Sequence, residues 1–116
     1  RRGPDGRRGE GLAGGDTGHL FEILKGYPMF LTAIAGKTIA GSSAGAYVLS
    51  GWYYDDPKKS ANAAFGLVPA RVVCHYQTEA EDNREHAVNA FGAMNALVLD
   101  LPLVLLKDYE WEVFTV

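Results

Sequence analysis

One pentapeptide restricts the architectures open to this chain more than any other feature: Gly41-Ser42-Ser43-Ala44-Gly45 reads G-x-S-x-G. It follows the short apolar-leaning run Lys37-Thr38-Ile39-Ala40 and precedes the helix-favouring Ala46-Tyr47-Val48-Leu49. A strand, a sharp turn and a helix in that order form a nucleophile elbow. Small neighbours let the backbone turn tightly, the serine hydroxyl stands clear of the sheet, and free N–H groups of the helix start face the reaction centre. Such a turn belongs to an α/β fold, and it makes Ser43 the first candidate catalytic residue.

The rest of the composition narrows the setting. A chain of 116 residues, 47% of them hydrophobic, holds one modest core and one domain. A formal charge of −3, with no Lys and Arg cluster interleaved with aromatics, argues against a nucleic-acid partner. Cys74 is the only cysteine, which excludes an intrachain disulfide and zinc sites built on Cys pairs and fits a reducing compartment. The longest apolar stretch, residues 97–106, is broken by Asp100 and Pro102 and is too short to span a bilayer. With no apolar signal-peptide core at the start, the expected location is the cytoplasm, without a membrane partner. Nothing in the pattern asks for a metal or an organic cofactor, and the oligomeric state leaves no signature.

Along the chain, residues 1–11 form a Gly- and Arg-rich tail expected to be disordered, because its first ten residues hold no apolar side chain to bury. Residues 12–116 are expected to form the domain. It opens on the glycine turn Gly14-Gly15, after which Asp16 is placed to N-cap a helix carrying Leu20, Phe21 and Leu24 and ending near Gly26. A second short helix is expected over residues 28–35 and a strand over 37–40, leading into the elbow. Trp52-Tyr53-Tyr54-Asp55-Asp56-Pro57-Lys58-Lys59 reads as a loop, on its proline and charges. The run Val72-Val73-Cys74 has no helical period and reads as a strand buried on both faces, ending at His75. A helix over residues 81–94 follows, and then strands over 96–99 and 103–106. A final half-buried strand is expected over 110–116, where polar and apolar residues alternate.

A serine nucleophile needs a base to take its proton and a third group to orient that base. Of the three histidines, His19 sits in the first helix and His86 in the polar run Glu81-Asp82-Asn83-Arg84-Glu85, which reads as an exposed helix start. His75 alone closes a buried strand, and sites of open α/β sheets gather at the carboxyl ends of the strands. For the orienting acid, Asp55 and Asp56 lie between nucleophile and base, with Glu79 and Glu85 as later candidates. The N–H of Ala44, with one from the Gly14-Gly15 turn, is placed to serve as the oxyanion hole.

Taken together, Gly14-Gly15-Asp16-Thr17, then Gly41-Ser42-Ser43-Ala44-Gly45-Ala46, then Gly66-Leu67-Val68-Pro69 leading to His75-Tyr76, resemble the successive blocks of the peptidase E (α-aspartyl dipeptidase) and cyanophycinase family of serine peptidases. The resemblance implies a class I glutamine amidotransferase-like (flavodoxin-like) α/β fold, a parallel sheet with flanking helices. It also implies cleavage of small or acidic peptides, with Ser43 as nucleophile, His75 as base, and Gly15 and Ala44 as oxyanion donors. The family's acid between Ser and His points to Asp55 or Asp56. An acid-preferring member needs a cation in its pocket, for which Arg71, Lys58 and Lys59 are the candidates. The family also carries an N-terminal half of further strands, so the chain reads as a C-terminal portion truncated at its N-terminus. Where the family has a glycine triplet and Asn, this chain has Ala13-Gly14-Gly15-Asp16, and an ionised Asp16 would oppose a forming oxyanion. A non-catalytic remnant of the fold is therefore the alternative reading.

Overall fold

The computed structural model describes residues 17–115. The Gly/Arg-rich tail, the Gly14-Gly15 turn and Asp16 lie outside the described residues. Eight elements follow in chain order: α1 (Thr17–Lys25), α2 (Phe30–Ile34), α3 (Ala44–Leu49), β1 (Trp52–Asp55), β2 (Ser60–Ala63), β3 (Arg71–Val73), α4 (Glu81–Ala96) and β4 (Leu103–Leu105). The strands form one sheet in the order β2-β1-β3-β4, with β1, β3 and β4 parallel and β2 antiparallel to β1. The expected parallel sheet with flanking helices is thus present as a mixed, mostly parallel one.

The apolar runs account for the layers. Val72 and Cys74 pack on one face of the sheet with Tyr47 of α3 and Tyr53, while Val73 packs on the other with Tyr54 and with Ala90 and Met94 of α4. Side chains alternate across a strand, so a run buried on both faces reads as continuously apolar. β4 repeats the device, with Val104 and Leu106 toward the first cluster and Leu103 and Leu105 toward the second. Helix α4 buries Ala87, Ala90 and Met94, spaced three and four residues apart on one stripe. The Phe65 ring meets Phe21 edge-on at 4.8 Å and Phe30 at 5.3 Å, tying α1 and α2 to the segment after β2.

Several expectations are corrected. Residues 52–59 are not a loop: Tyr53 and Tyr54 are buried in β1, on opposite faces, and only the stretch after Asp55 turns toward β2. Residues 37–40 form exposed, irregular chain rather than a strand, and residues 96–99 instead finish α4 and leave it. The described part of the expected last strand, residues 110–115, has no strand pairing, with Trp111 80% and Val113 79% exposed. An alternating pattern becomes a strand only where a neighbour takes up its backbone hydrogen bonds, and none of these segments has one among the described residues.

Candidate active site

The elbow brings Ser43 to the start of α3 with φ 52° and ψ −116°, a left-handed backbone that only a constrained turn imposes on a serine. Gly41 makes the turn possible. A Cβ there would lie 2.5 Å from both the carbonyl carbon and the carbonyl oxygen of Gly45. One turn into the helix, the Tyr47 N–H donates to the Ser43 carbonyl at 3.0 Å, which fixes the hydroxyl's carrier to α3. No acceptor among the described residues takes the N–H of Ala44.

His75 stands two residues past β3, also on a left-handed backbone (φ 59°). Its Nε2 lies 3.2 Å from Ser43 Oγ. On its other side, Nδ1 lies 2.7 Å from Oδ1 of Asp108. The carboxylate is positioned in turn, because Thr78 Oγ1 donates to its Oδ2 at 2.6 Å while accepting the Ala80 N–H at 3.1 Å. The Thr78 hydroxyl, and after it the His75 ring, holds the Asp108 carboxyl below its ordinary value, so it is ionised and only accepts. Nδ1 of His75 therefore carries the ring proton, and the lone pair of Nε2 faces the serine hydroxyl.

The sheet explains why these residues meet. Val73 pairs with Leu105 between neighbouring parallel strands, and the ladder runs on through Leu106 N–H to Val73 and Tyr76 N–H to Leu106, at 2.9 Å each. His75 and Asp108 thus emerge side by side from the carboxyl ends of β3 and β4.

The other expected residues are placed differently. Neither Asp55 nor Asp56 hydrogen-bonds His75. Asp55, 5% exposed, accepts the Lys58 N–H at 3.3 Å and lies against Gly18 of α1. Asp56 bonds Nδ1 of His86 through both oxygens, at 2.8 and 2.9 Å. Both acids end or follow β1, one strand away on the far side of β3 from Asp108. Arg71, at the amino end of β3, is not among the residues lining the cavity of Ser43 and His75, and its guanidinium donates to the carbonyls of Leu101 (3.0 Å), Met94 (2.7 Å) and Leu97 (3.1 Å), closing the turn between α4 and β4. Gly15 lies outside the described residues. Asp108 was missed although the rule that singles out His75, a polar side chain just past a buried apolar strand, applies equally to Leu103-Val104-Leu105-Leu106-Lys107-Asp108. Burial pushes the Cys74 thiol up to about 11, against the lowering by the Tyr47 hydroxyl and the Ser43 amide, so it is no nucleophile at neutral pH.

Ser43 and His75 open onto a cavity of about 90 Å³ that His86, Tyr54 and the carboxylates of Asp55, Asp56 and Asp82 also line. Residues 11–111 match the family model described as Peptidase family S51. The chain belongs to Peptidase family S51. No curated protein and no solved structure matches it. Membership in S51, the family of peptidase E and cyanophycinase, carries serine-type hydrolysis of small peptides with it. Among the described residues of this S51 chain, no three His, Cys, Asp or Glu side chains converge as metal ligands, and no helix is long and apolar enough to cross a membrane.

Proposed function

We propose that the chain is a serine peptidase of small peptides in which Ser43 is the nucleophile, His75 the general base and Asp108 the orienting acid. The observation that carries this reading is the unbroken chain from Ser43 Oγ through both nitrogens of His75 to Asp108 and Thr78. As Ser43 Oγ attacks the peptide carbonyl carbon, its proton passes to Nε2 of His75, and the ionised Asp108 stabilises the imidazolium. The Ala44 N–H, with one from Gly15, holds the oxygen that becomes negative. Collapse of the tetrahedral intermediate breaks the C–N bond, and Nε2 returns the proton to the leaving amine. Water, deprotonated by the same nitrogen, then releases the acyl group and restores Ser43.

An acidic-peptide preference has no support in the cavity wall, where the described lining holds three Asp carboxylates and neither Lys nor Arg. A lone buried Cys74 fits a reducing, cytoplasmic setting. The test is labelling of purified protein with a fluorophosphonate probe, with circular dichroism to establish folding. Labelling lost in both Ser43→Ala and His75→Ala supports the reading and justifies a screen of Asp-Xaa and Lys-Xaa dipeptides. A folded protein that takes up no probe refutes it.

A further inference from the structure

A second histidine network runs beneath the first. The Tyr47 hydroxyl lies 2.6 Å from His86 Nε2 and accepts the backbone N–H of Cys74 at 2.9 Å. His86 belongs to α4, Cys74 directly precedes His75, and Tyr47 sits one turn after Ser43 on the same helix. Contrary to the exposed position expected from its polar neighbours, the His86 side chain is only 12% exposed. The proton positions follow from elimination. Burial, with Cys74 next, pushes the Tyr47 phenol far above its ordinary value, so it keeps its proton. The Cys74 N–H can only donate and the Cys74 thiol is a weak acceptor, so at 2.6 Å the Tyr47 proton points to the neutral imidazole's Nε2 of His86. His86 is then the Nδ1–H tautomer, donating to Asp56.

We infer that Asp56, His86 and Tyr47 form a positioning array that holds the backbone before His75 in register with the helix carrying Ser43. Both Ser43 and His75 have left-handed backbones, which persist only where the surroundings over-determine them. The Tyr47 hydroxyl bonds across from the nucleophile's helix to the base's loop without using either reacting group, beside the contact of the Ser43 amide with the Cys74 thiol. Removing it leaves the Cys74 N–H buried and unpaired. All three residues also line the cavity onto which Ser43 and His75 open, so what marks them as positioning residues is an effect on rate without one on half-saturation. Their contribution is to the 3.2 Å separation between Ser43 Oγ and His75 Nε2.

The inference rests on Ser43 and His75 reacting as proposed, so the experiment separates the two. Fluorophosphonate inactivation is followed against probe concentration in the parent, Tyr47→Phe, His86→Gln, His86→Leu and the Tyr47→Phe/His86→Leu double variant. An ångström of misplacement costs about 10²-fold in rate. The maximal inactivation rate should therefore fall by about 10- to 100-fold in Tyr47→Phe and His86→Leu, with half-saturation within about twofold. His86→Gln, which keeps an acceptor toward Tyr47, should recover most of the rate. The double variant should be no slower than the slower single, because the residues act as one unit. A Tyr47→Phe rate within about twofold of the parent, or a double variant showing the product of both losses, overturns the inference. If Tyr47→Phe does not fold, the two His86 variants decide it by the same criterion. If the parent itself takes no probe, the proposed function fails, and imidazole ¹⁵N resonances decide the array. His86 as the Nδ1–H tautomer, with His75 signals that move in His86→Leu, supports it; a protonated Nε2 or unmoved His75 signals overturn it.

Discussion

Asp108→Asn perturbs the site at the point where two readings of the chain diverge. The variant keeps the shape of the carboxylate but has one acceptor oxygen where the native side chain has two. Both native oxygens are in use, Oδ1 on His75 Nδ1 at 2.7 Å and Oδ2 on the Thr78 hydroxyl at 2.6 Å. If the amide oxygen stays with Thr78, the amide N–H₂ faces His75, whose Nδ1 must give up its proton. The ring then carries its proton on Nε2 and cannot accept one from Ser43. If the oxygen turns to His75, the tautomer survives but the charge opposing the imidazolium is gone. Loss of a buried triad acid costs about 10⁴-fold in rate. Here the Asp108 side chain is 37% exposed and water replaces part of its effect, so a loss of about 10²-fold in labelling rate is expected. The assay is fluorophosphonate labelling under pseudo-first-order conditions, with Asp55→Asn in parallel. An Asp108→Asn rate close to the parent's, or an Asp55→Asn loss that exceeds it, refutes the assignment of the acid. The linkage has a sign. Because the folded Asp108 titrates below its ordinary 3.8, the stabilisation it gives is complete above that pH and is lost as pH falls through the lowered value.

The two glycines of the elbow should behave oppositely. Gly41→Ala places a methyl 2.5 Å from the Gly45 carbonyl and should abolish labelling, whereas Gly45→Ala meets nothing within 4 Å and should be tolerated. Inside α3 it should raise stability by up to about 1 kcal/mol in urea unfolding. Arg71→Met unpairs the carbonyls of Leu101 and Leu97, while that of Met94 keeps the Leu97 N–H, and should cost about 2 kcal/mol in the same measurement, leaving the labelling rate of folded protein unchanged; a selective rise in half-saturation with unchanged stability would instead return Arg71 to the substrate. Cys74, buried and with its thiol raised to about 11, should resist iodoacetamide at pH about 8 and react once urea unfolds the chain, as read by intact mass.

How much of this was legible beforehand depended on whether the deciding contact was local. The turn and helix of the elbow, the two-faced run of β3 and the placement of His75 need only short-range pattern and are readable, whereas the strand expected over residues 37–40 does not form. The proposed orienting acid is not local, since Asp108 reaches His75 through strand pairing 33 residues apart. A search confined to the segment between Ser43 and His75 cannot find it. Tyr53 and Tyr54 were hidden by neighbours: Asp56, Pro57 and the lysines belong to the turn after β1, yet they coloured the reading of the strand before it. His86 was obscured the same way by Glu85 and Arg84, although it sits four residues before Ala90 and eight before Met94, on the stripe that α4 buries.

The left-handed backbones at Ser43 and His75 also set the protein's evolvability. Each costs of order 1 to 3 kcal/mol that a glycine would not incur, and each carries a side chain proposed to react. With the roles proposed for Ser43 and His75, replacing either by glycine relaxes the fold and ends the chemistry in one step. Drift toward greater stability at these two positions therefore runs directly into inactivity, and a thermally hardier descendant of this chain has to find its gains elsewhere, in sites such as Gly45 that the reaction does not touch.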